Sequence, residues 1–410
     1  MLKALISATG LVVLVAITAM DHADRPVREH QATKCEVAAM PAFSSLPSIA
    51  KLPDPFLFMN GSRMKKKKDW TCRREEIARL AQEFQYGYKP LTAVSATTAS
   101  FADDKVTVSV TDKGKTVSFV CSISYPKTGK KLFPAIIGMG ASNLNNAELL
   151  NMGVAVISFP NNKVAEQMNA SSRGKGLFYE MYGSDHSASA TMAWAWGLSR
   201  LIDALEKTPE AGIDATRLGV TGCSRNGKGA LVAGAFDERI KLTIPQEPGA
   251  GGAASWRISD AQKVSGKNVQ TLSQIVGENV WFREDFRQFG QASDKLPFDQ
   301  HMVAALCAPR ALLFIENTSV DWLSPVSAFI TAHAAHQVWQ ALGVPDKMGF
   351  SQVGGHNHCA MPDSQLPELR AYVSKFLIGG GKEDTRLMKS DANFALNKGE
   401  WIDWSVPVLK

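Results

Sequence analysis

Apolar and polar positions change period along this chain, and each change marks an element. Trp70, Ile77, Leu80 and Phe84 recur at helical spacing from Asp69 onward, with Glu75 and Glu76 early in the stretch, which predicts a helix. Residues 93–101, 106–111 and 116–125 are rich in β-forming residues and predict an antiparallel lead-in of three strands. Beyond them come short apolar runs of buried-strand type at residues 133–139, 154–160, 218–222, 240–245, 311–316 and 348–353. Helical patterns lie between several of these, at residues 188–205, 227–236, 327–342 and 366–377. Strand and helix in alternation imply an α/β fold: a three-layer αβα sandwich whose central sheet is mostly parallel, with sites at the carboxyl ends of its strands.

The segment before Asp69 reads differently. Lys3 precedes an uncharged stretch, Ala4 to Met20, and the polar Asp21-His22-Ala23-Asp24-Arg25 follows. One cation, a short apolar core and small residues near its end predict a secretory signal over residues 1–20, cleaved between Ala19 and Ala23. A membrane anchor needs about 18 apolar residues, and this run is broken by Ser7, Thr9 and Gly10. Residues 21–68, rich in Pro and Ser and ending in Lys65-Lys66-Lys67-Lys68, predict an extension packed on the domain, with the lysines as a solvated loop. No linker interrupts residues 69–410, so one catalytic domain is the economical reading.

Composition narrows the class further. With 45% hydrophobic and 20% charged residues, the chain is too apolar for a disordered or fibrous protein. Its 45 basic against 39 acidic side chains are too mild an excess to select nucleic acid as a partner. No later segment is apolar enough to span a membrane, so we expect a secreted, extracellular chain, monomeric by default. Three sequons, at Asn60, Asn169 and Asn317, agree with that compartment, and six cysteines invite pairing there.

Chemistry concentrates in Val220-Thr221-Gly222-Cys223-Ser224-Arg225-Asn226-Gly227-Lys228-Gly229-Ala230. A strand running through a glycine-flanked serine into a helix is how a nucleophile elbow presents a hydroxyl, although the second glycine comes one residue later than in G-x-S-x-G. Of eight histidines, His356 and His358 follow the last of the six apolar strands, where the base belongs. The acid has competing candidates: Glu247 after the strand at 240–245, and Glu316 and Asp321 after the next one, the commoner place. Cys223 precedes the serine and Cys359 follows His358, so a bridge between them would join the two loops and favour His358 as the base; two buried thiols are the alternative. The pattern His-Asn-His-Cys also suits a metal, but no second cluster has ligand spacing, and we expect neither metal nor cofactor.

These segments, together with Leu52-Pro53-Asp54-Pro55-Phe56, residues 70–76, Pro245-Gln246-Glu247-Pro248-Gly249, Ile275-Val276-Gly277-Glu278-Asn279, Asp321-Trp322-Leu323 and residues 354–359, resemble the glucuronoyl esterases of fungal type over most of the chain. The resemblance implies a secreted α/β-hydrolase that cleaves esters of 4-O-methyl-D-glucuronic acid, so that glucuronoxylan and lignin–carbohydrate complexes are its substrates. It implies Ser224 as nucleophile, His358 as base and Glu247 rather than Asp321 as acid, with Arg225 on the oxyanion. Sugar contacts would fall to Lys228, Gln270, Glu278 and Trp322, and an N-terminal disulfide to Cys35 and Cys72; Cys121 and Cys307 match no family bridge cleanly. Another secreted ester hydrolase, such as an acetyl xylan esterase, is the alternative. It would lack the sugar-acid contacts.

Overall fold

The computed structural model describes Glu29, Cys35, residues 38–397 and residues 399–410; the signal segment over residues 1–20 lies outside the described residues. Its strands are β1 (Thr97–Ala102), β2 (Lys105–Asp112), β3 (Lys115–Ser124), β4 (Phe133–Met139), β5 (Ala155–Phe159), β6 (Ile213–Cys223), β7 (Ile240–Gln246), β8 (Ala311–Glu316), β9 (Met348–Gln352) and β10 (Met388–Ser390). They form one sheet in the order β1-β2-β3-β5-β4-β6-β7-β8-β9-β10. From β5 to β10 all neighbours are parallel, while β1, β2 and β3 join the β5 edge as an antiparallel wing.

Side-chain alternation explains why helices cover both faces of the parallel part. Leu218, Val220, Leu312 and Phe314 face the larger core, which takes in residues of the helices Asp69–Ala81, Ala190–Lys207, Arg225–Phe236 and Pro325–Leu342. Ile136, Leu242, Ile244, Leu313 and Ile315 face the second core, with Leu149 and with Leu369, Tyr372 and Val373 of the helix Leu366–Val373. The wing has one wet face: β3 alternates buried Val117, Phe119, Cys121 and Ile123 with exposed neighbours.

Several sequence expectations shift at their edges. The first helix runs Asp69–Ala81 and continues as a wider turn to Tyr86. β1 begins only at Thr97, because Val94–Ala96 form a single 3₁₀ turn. β6 starts five residues earlier than its apolar run, at Ile213. The lysines at 65–68 are exposed, as a solvated loop should be.

The extension lies against the domain through buried Leu46, Leu52, Phe56 and Met64, and a disulfide joins Cys35 to Cys72 at the start of the first helix. A second disulfide joins Cys223 to Cys359, 136 residues apart. In the chain-entropy model a loop of that size is worth about 5 kcal/mol. Cys121 and Cys307 are free and buried.

Candidate active site

Three strand ends supply the site. At the end of β6 the chain turns through Ser224, whose φ of 58° lies in the left-handed region, and enters the helix Arg225–Phe236. Such a conformation costs a non-glycine residue about 1–3 kcal/mol and persists only where its surroundings enforce it. Here the Ser224 amide donates to the Gln246 carbonyl at 3.0 Å, and the displaced glycine finds its reason. A Cβ on Gly227 would stand 2.7 Å from that same carbonyl oxygen, and one on Gly222 would stand 2.5 Å from the Asn226 carbonyl oxygen. Both glycines let helix and strand approach, so the altered spacing keeps the elbow.

β7 delivers Glu247, fully buried and itself at φ 43°. Its Oε2 accepts from His358 Nδ1 at 2.7 Å and from the Cys359 amide at 3.0 Å. Glu247 therefore fixes both the ring and the backbone of the histidine loop. A ring nitrogen of His358 lies within 4.8 Å of both disulfide sulfurs, which places it beside the elbow. Those sulfurs are bonded to each other and offer no thiolate to a metal. His356 stands farther off, with Nδ1 3.8 Å from Glu247 Oε1, and its Nε2 is occupied by the Val353 carbonyl at 2.8 Å.

The rival acids separate cleanly. Asp321 is exposed at the head of a 3₁₀ turn. Glu316 ends β8 fully buried, and burial, reinforced by the Glu247 carboxylate, raises its pKa well above the usual carboxylate range, Lys228 opposing. Neither of its carboxyl oxygens has a hydrogen-bond partner. His358 bonds Glu247 and, among the described residues, neither rival.

Of the remaining expected residues, Arg225 and Lys228 share the helix that follows Ser224, Trp322 meets His358, and Gln270 bonds Trp322. Arg225 and Lys228, one helical turn apart, both stand over the ring of Trp281, with the Arg225 Cζ and the Lys228 Nζ each 5.2 Å from its centroid. Lys228 is buried and donates to the Pro248 carbonyl; burial, then the charge of Arg225, pushes its pKa down to about 7. Trp322 is 44% exposed and meets His358 edge to face at 5.9 Å. The amide of Gln270 donates to the Trp322 carbonyl at 3.2 Å, joining those two loops, and Glu278 is exposed at the end of the helix Leu272–Glu278. Gln167 and Trp281 escaped the sequence reading, because only tertiary contact brings them to Arg225.

The sequons divide. Asn60 and Asn169 are exposed. Asn317 is fully buried, and its Nδ2 donates to the His356 carbonyl at 3.1 Å. A glycan on that nitrogen is incompatible with this packing, so Asn317 is withdrawn as a glycosylation site.

A strained serine between strand and helix, beside a histidine oriented by a buried carboxylate at the ends of a parallel sheet, defines the class: this is an α/β-hydrolase. The family model described as "Glucuronyl esterase, fungi" matches residues 108–343. A 4-O-methyl-glucuronoyl methylesterase of Hypocrea jecorina is 50% identical over 91% of this chain and 79% of its own length, and one from Cerrena unicolor is 47% identical over 89% and 78%. The solved catalytic domain of the Hypocrea jecorina glucuronoyl esterase superposes with a TM-score of 0.86 at 49% identity, covering 90% of this chain and all of that one. A Sporotrichum thermophile glucuronoyl esterase, a serine-to-alanine mutant in complex with methyl 4-O-methyl-β-D-glucopyranuronate, gives 0.85 at 44% identity over 92% of this chain and all of its own. The chain belongs to the glucuronoyl esterase family, a family of carboxylic ester hydrolases.

Proposed function

We propose that this protein is a secreted serine esterase that hydrolyses esters between 4-O-methyl-D-glucuronic acid of glucuronoxylan and lignin alcohols, through an acyl-enzyme. The observation that carries the mechanism is the 2.7 Å bond from His358 Nδ1 to buried Glu247 beside the elbow of Ser224. With Nδ1 bonded to the carboxylate, the other ring nitrogen is free to take the Ser224 proton as Oγ attacks the ester carbonyl. Glu247 stabilises the imidazolium that forms. Arg225 and the amides at the start of its helix face the developing oxyanion. His358 then gives its proton to the departing alkoxide, and the alcohol leaves. Water attacks the acyl-enzyme with the same proton transfers, releasing the uronic acid and restoring Ser224.

Lys228, Gln270, Glu278 and Trp322 are the proposed contacts for the sugar ring. An ammonium, an amide and a carboxylate match hydroxyl groups as hydrogen-bond partners, and the half-exposed Trp322 face suits the pyranose or its methoxy group. Secretion rests on the signal pattern in the sequence, supported by two disulfides. Among the described residues no helix is long and apolar enough to cross a membrane. In this reading the enzyme acts as a monomer, and Asn60 and Asn169 are the sequons open to glycans. A fluorophosphonate should label the wild type once, at Ser224, and leave Ser224→Ala unlabelled while that variant still binds methyl 4-O-methyl-glucuronate. Labelling of the alanine variant would move the nucleophile elsewhere.

A further inference from the structure

An arginine beside a nucleophile serves an oxyanion only if its charge is not already matched by a carboxylate. Arg225 is half-buried, and its guanidinium meets no carboxylate among the ion pairs of the described residues. Two neutral partners hold it instead. Its Nη1 donates to Gln167 Oε1 at 3.4 Å, and its Cζ stands over the Trp281 ring. Gln167 Oε1 also accepts from Trp281 Nε1 at 3.2 Å, so one carbonyl fixes both the cation and the ring beneath it.

The loop that carries Gln167 is itself well anchored. Trp194, fully buried in the helix Ala190–Lys207, donates from Nε1 to the Ala165 carbonyl at 2.9 Å. The Glu166 amide donates to the Lys175 carbonyl at 3.0 Å, and the Met168 amide to Ser172 Oγ at 3.0 Å. Arg173 Nη1 reaches the Phe282 carbonyl at 3.2 Å, next to Trp281, whose own carbonyl accepts from Thr191 Oγ1 at 2.6 Å. The loop of Gln167, at Ala165, and the loop of Trp281 are thus pinned to the same buried helix.

We propose that Gln167 is a positioning residue for the reaction, holding Arg225 on the Trp281 face through an uncharged carbonyl, so that the guanidinium is fixed in direction yet keeps its charge for the oxyanion. The proposal rests on the reading of Arg225 as an oxyanion ligand. Its consequence separates it from a merely structural contact: an uncharged acceptor is required, and a better acceptor is worse. Gln167→Glu would bind Arg225 more tightly, through a charge-assisted bond, and at the same time offset the charge that serves the transition state.

The experiment measures kcat and KM on methyl 4-O-methyl-glucuronate for the wild type, Gln167→Glu, Gln167→Ala and Arg225→Ala, with thermal unfolding to confirm that each is folded. Arg225→Ala should lose about 10²-fold or more in kcat, the usual effect of removing one oxyanion donor. Gln167→Glu and Gln167→Ala should each lose about tenfold or more in kcat, with KM changed by no more than about twofold, because the group acts on the transition state. If Arg225→Ala is impaired while a folded Gln167→Glu keeps wild-type kcat, the positioning proposal is overturned and the oxyanion reading stands. If Arg225→Ala itself keeps wild-type kcat, the oxyanion reading falls, and the proposal with it.

Discussion

Replacing Glu247 by Gln removes one charge from the site and little else. The glutamine carbonyl still accepts from the Cys359 amide, so the histidine loop stays in place. What goes is the carboxylate bonded to His358 Nδ1 at 2.7 Å. With the two charges about 4 Å apart and an effective dielectric near 20, the carboxylate favours the imidazolium by about 4 kcal/mol, or about a thousandfold in rate. Steady-state kinetics on a methyl uronate ester should therefore show kcat falling about 10³-fold, with KM nearly unchanged. Asp321→Asn, at an exposed position that makes no bond to His358 among the described residues, should stay within about threefold of wild type. A Glu247→Gln enzyme within about tenfold of wild type, or a larger loss in Asp321→Asn, would refute the assignment of the acid.

Two further outcomes follow from the buried charges. Lys228, with a pKa near 7, carries its proton below that pH and loses it above, so KM for a uronate ester should rise as pH climbs past about 7. Lys228→Met should raise KM about tenfold or more and abolish that dependence, and a pH-dependent KM that survives the substitution would contradict it. Glu316, whose pKa is raised in the fold above its unfolded value near 4.5, stabilises nothing by ionising: stability is full below that value and falls as pH rises through the raised pKa. Glu316→Gln mimics the neutral acid, so it should keep its kcat near neutrality and gain stability over wild type as pH increases. Denaturation midpoints measured against pH test this, and a gap that is constant with pH would rule it out.

The parallel core was legible because its strands are continuous apolar runs: β4 and β8 have the bounds that their sequences imply. β6 was underestimated because Asp214, Ala215 and Arg217 near its start are only partly covered and Thr216 is exposed, which interrupts the run. β10 has three residues, paired at the edge to β9, with no apolar pattern to announce it. Short helices such as Asn146–Asn151 and Leu272–Glu278 are too brief for a period to emerge, although the second carries a capping box at Thr271 and Gln274. In the site, Ser224 and the histidine loop were marked by local motif. The choice of Glu247 over Glu316 and Asp321 was not, since strand position favoured the later pair and only the family resemblance pointed to Glu247. Tertiary contact is what supports it: buried acids stand at the ends of both β7 and β8, at Glu247 and Glu316, and of the two only Glu247 bonds His358. Gln167 was illegible for a related reason, as a lone polar loop residue gains meaning from what folds against it.

The most direct test of the central claim compares turnover of methyl 4-O-methyl-glucuronate, benzyl glucuronate and p-nitrophenyl acetate by the same purified protein. The account predicts rapid cleavage of both uronate esters and little cleavage of the acetate, because Lys228, Gln270, Glu278 and Trp322 are the proposed contacts for a sugar acid. Preference for the acetate, with the uronates left intact, would contradict it.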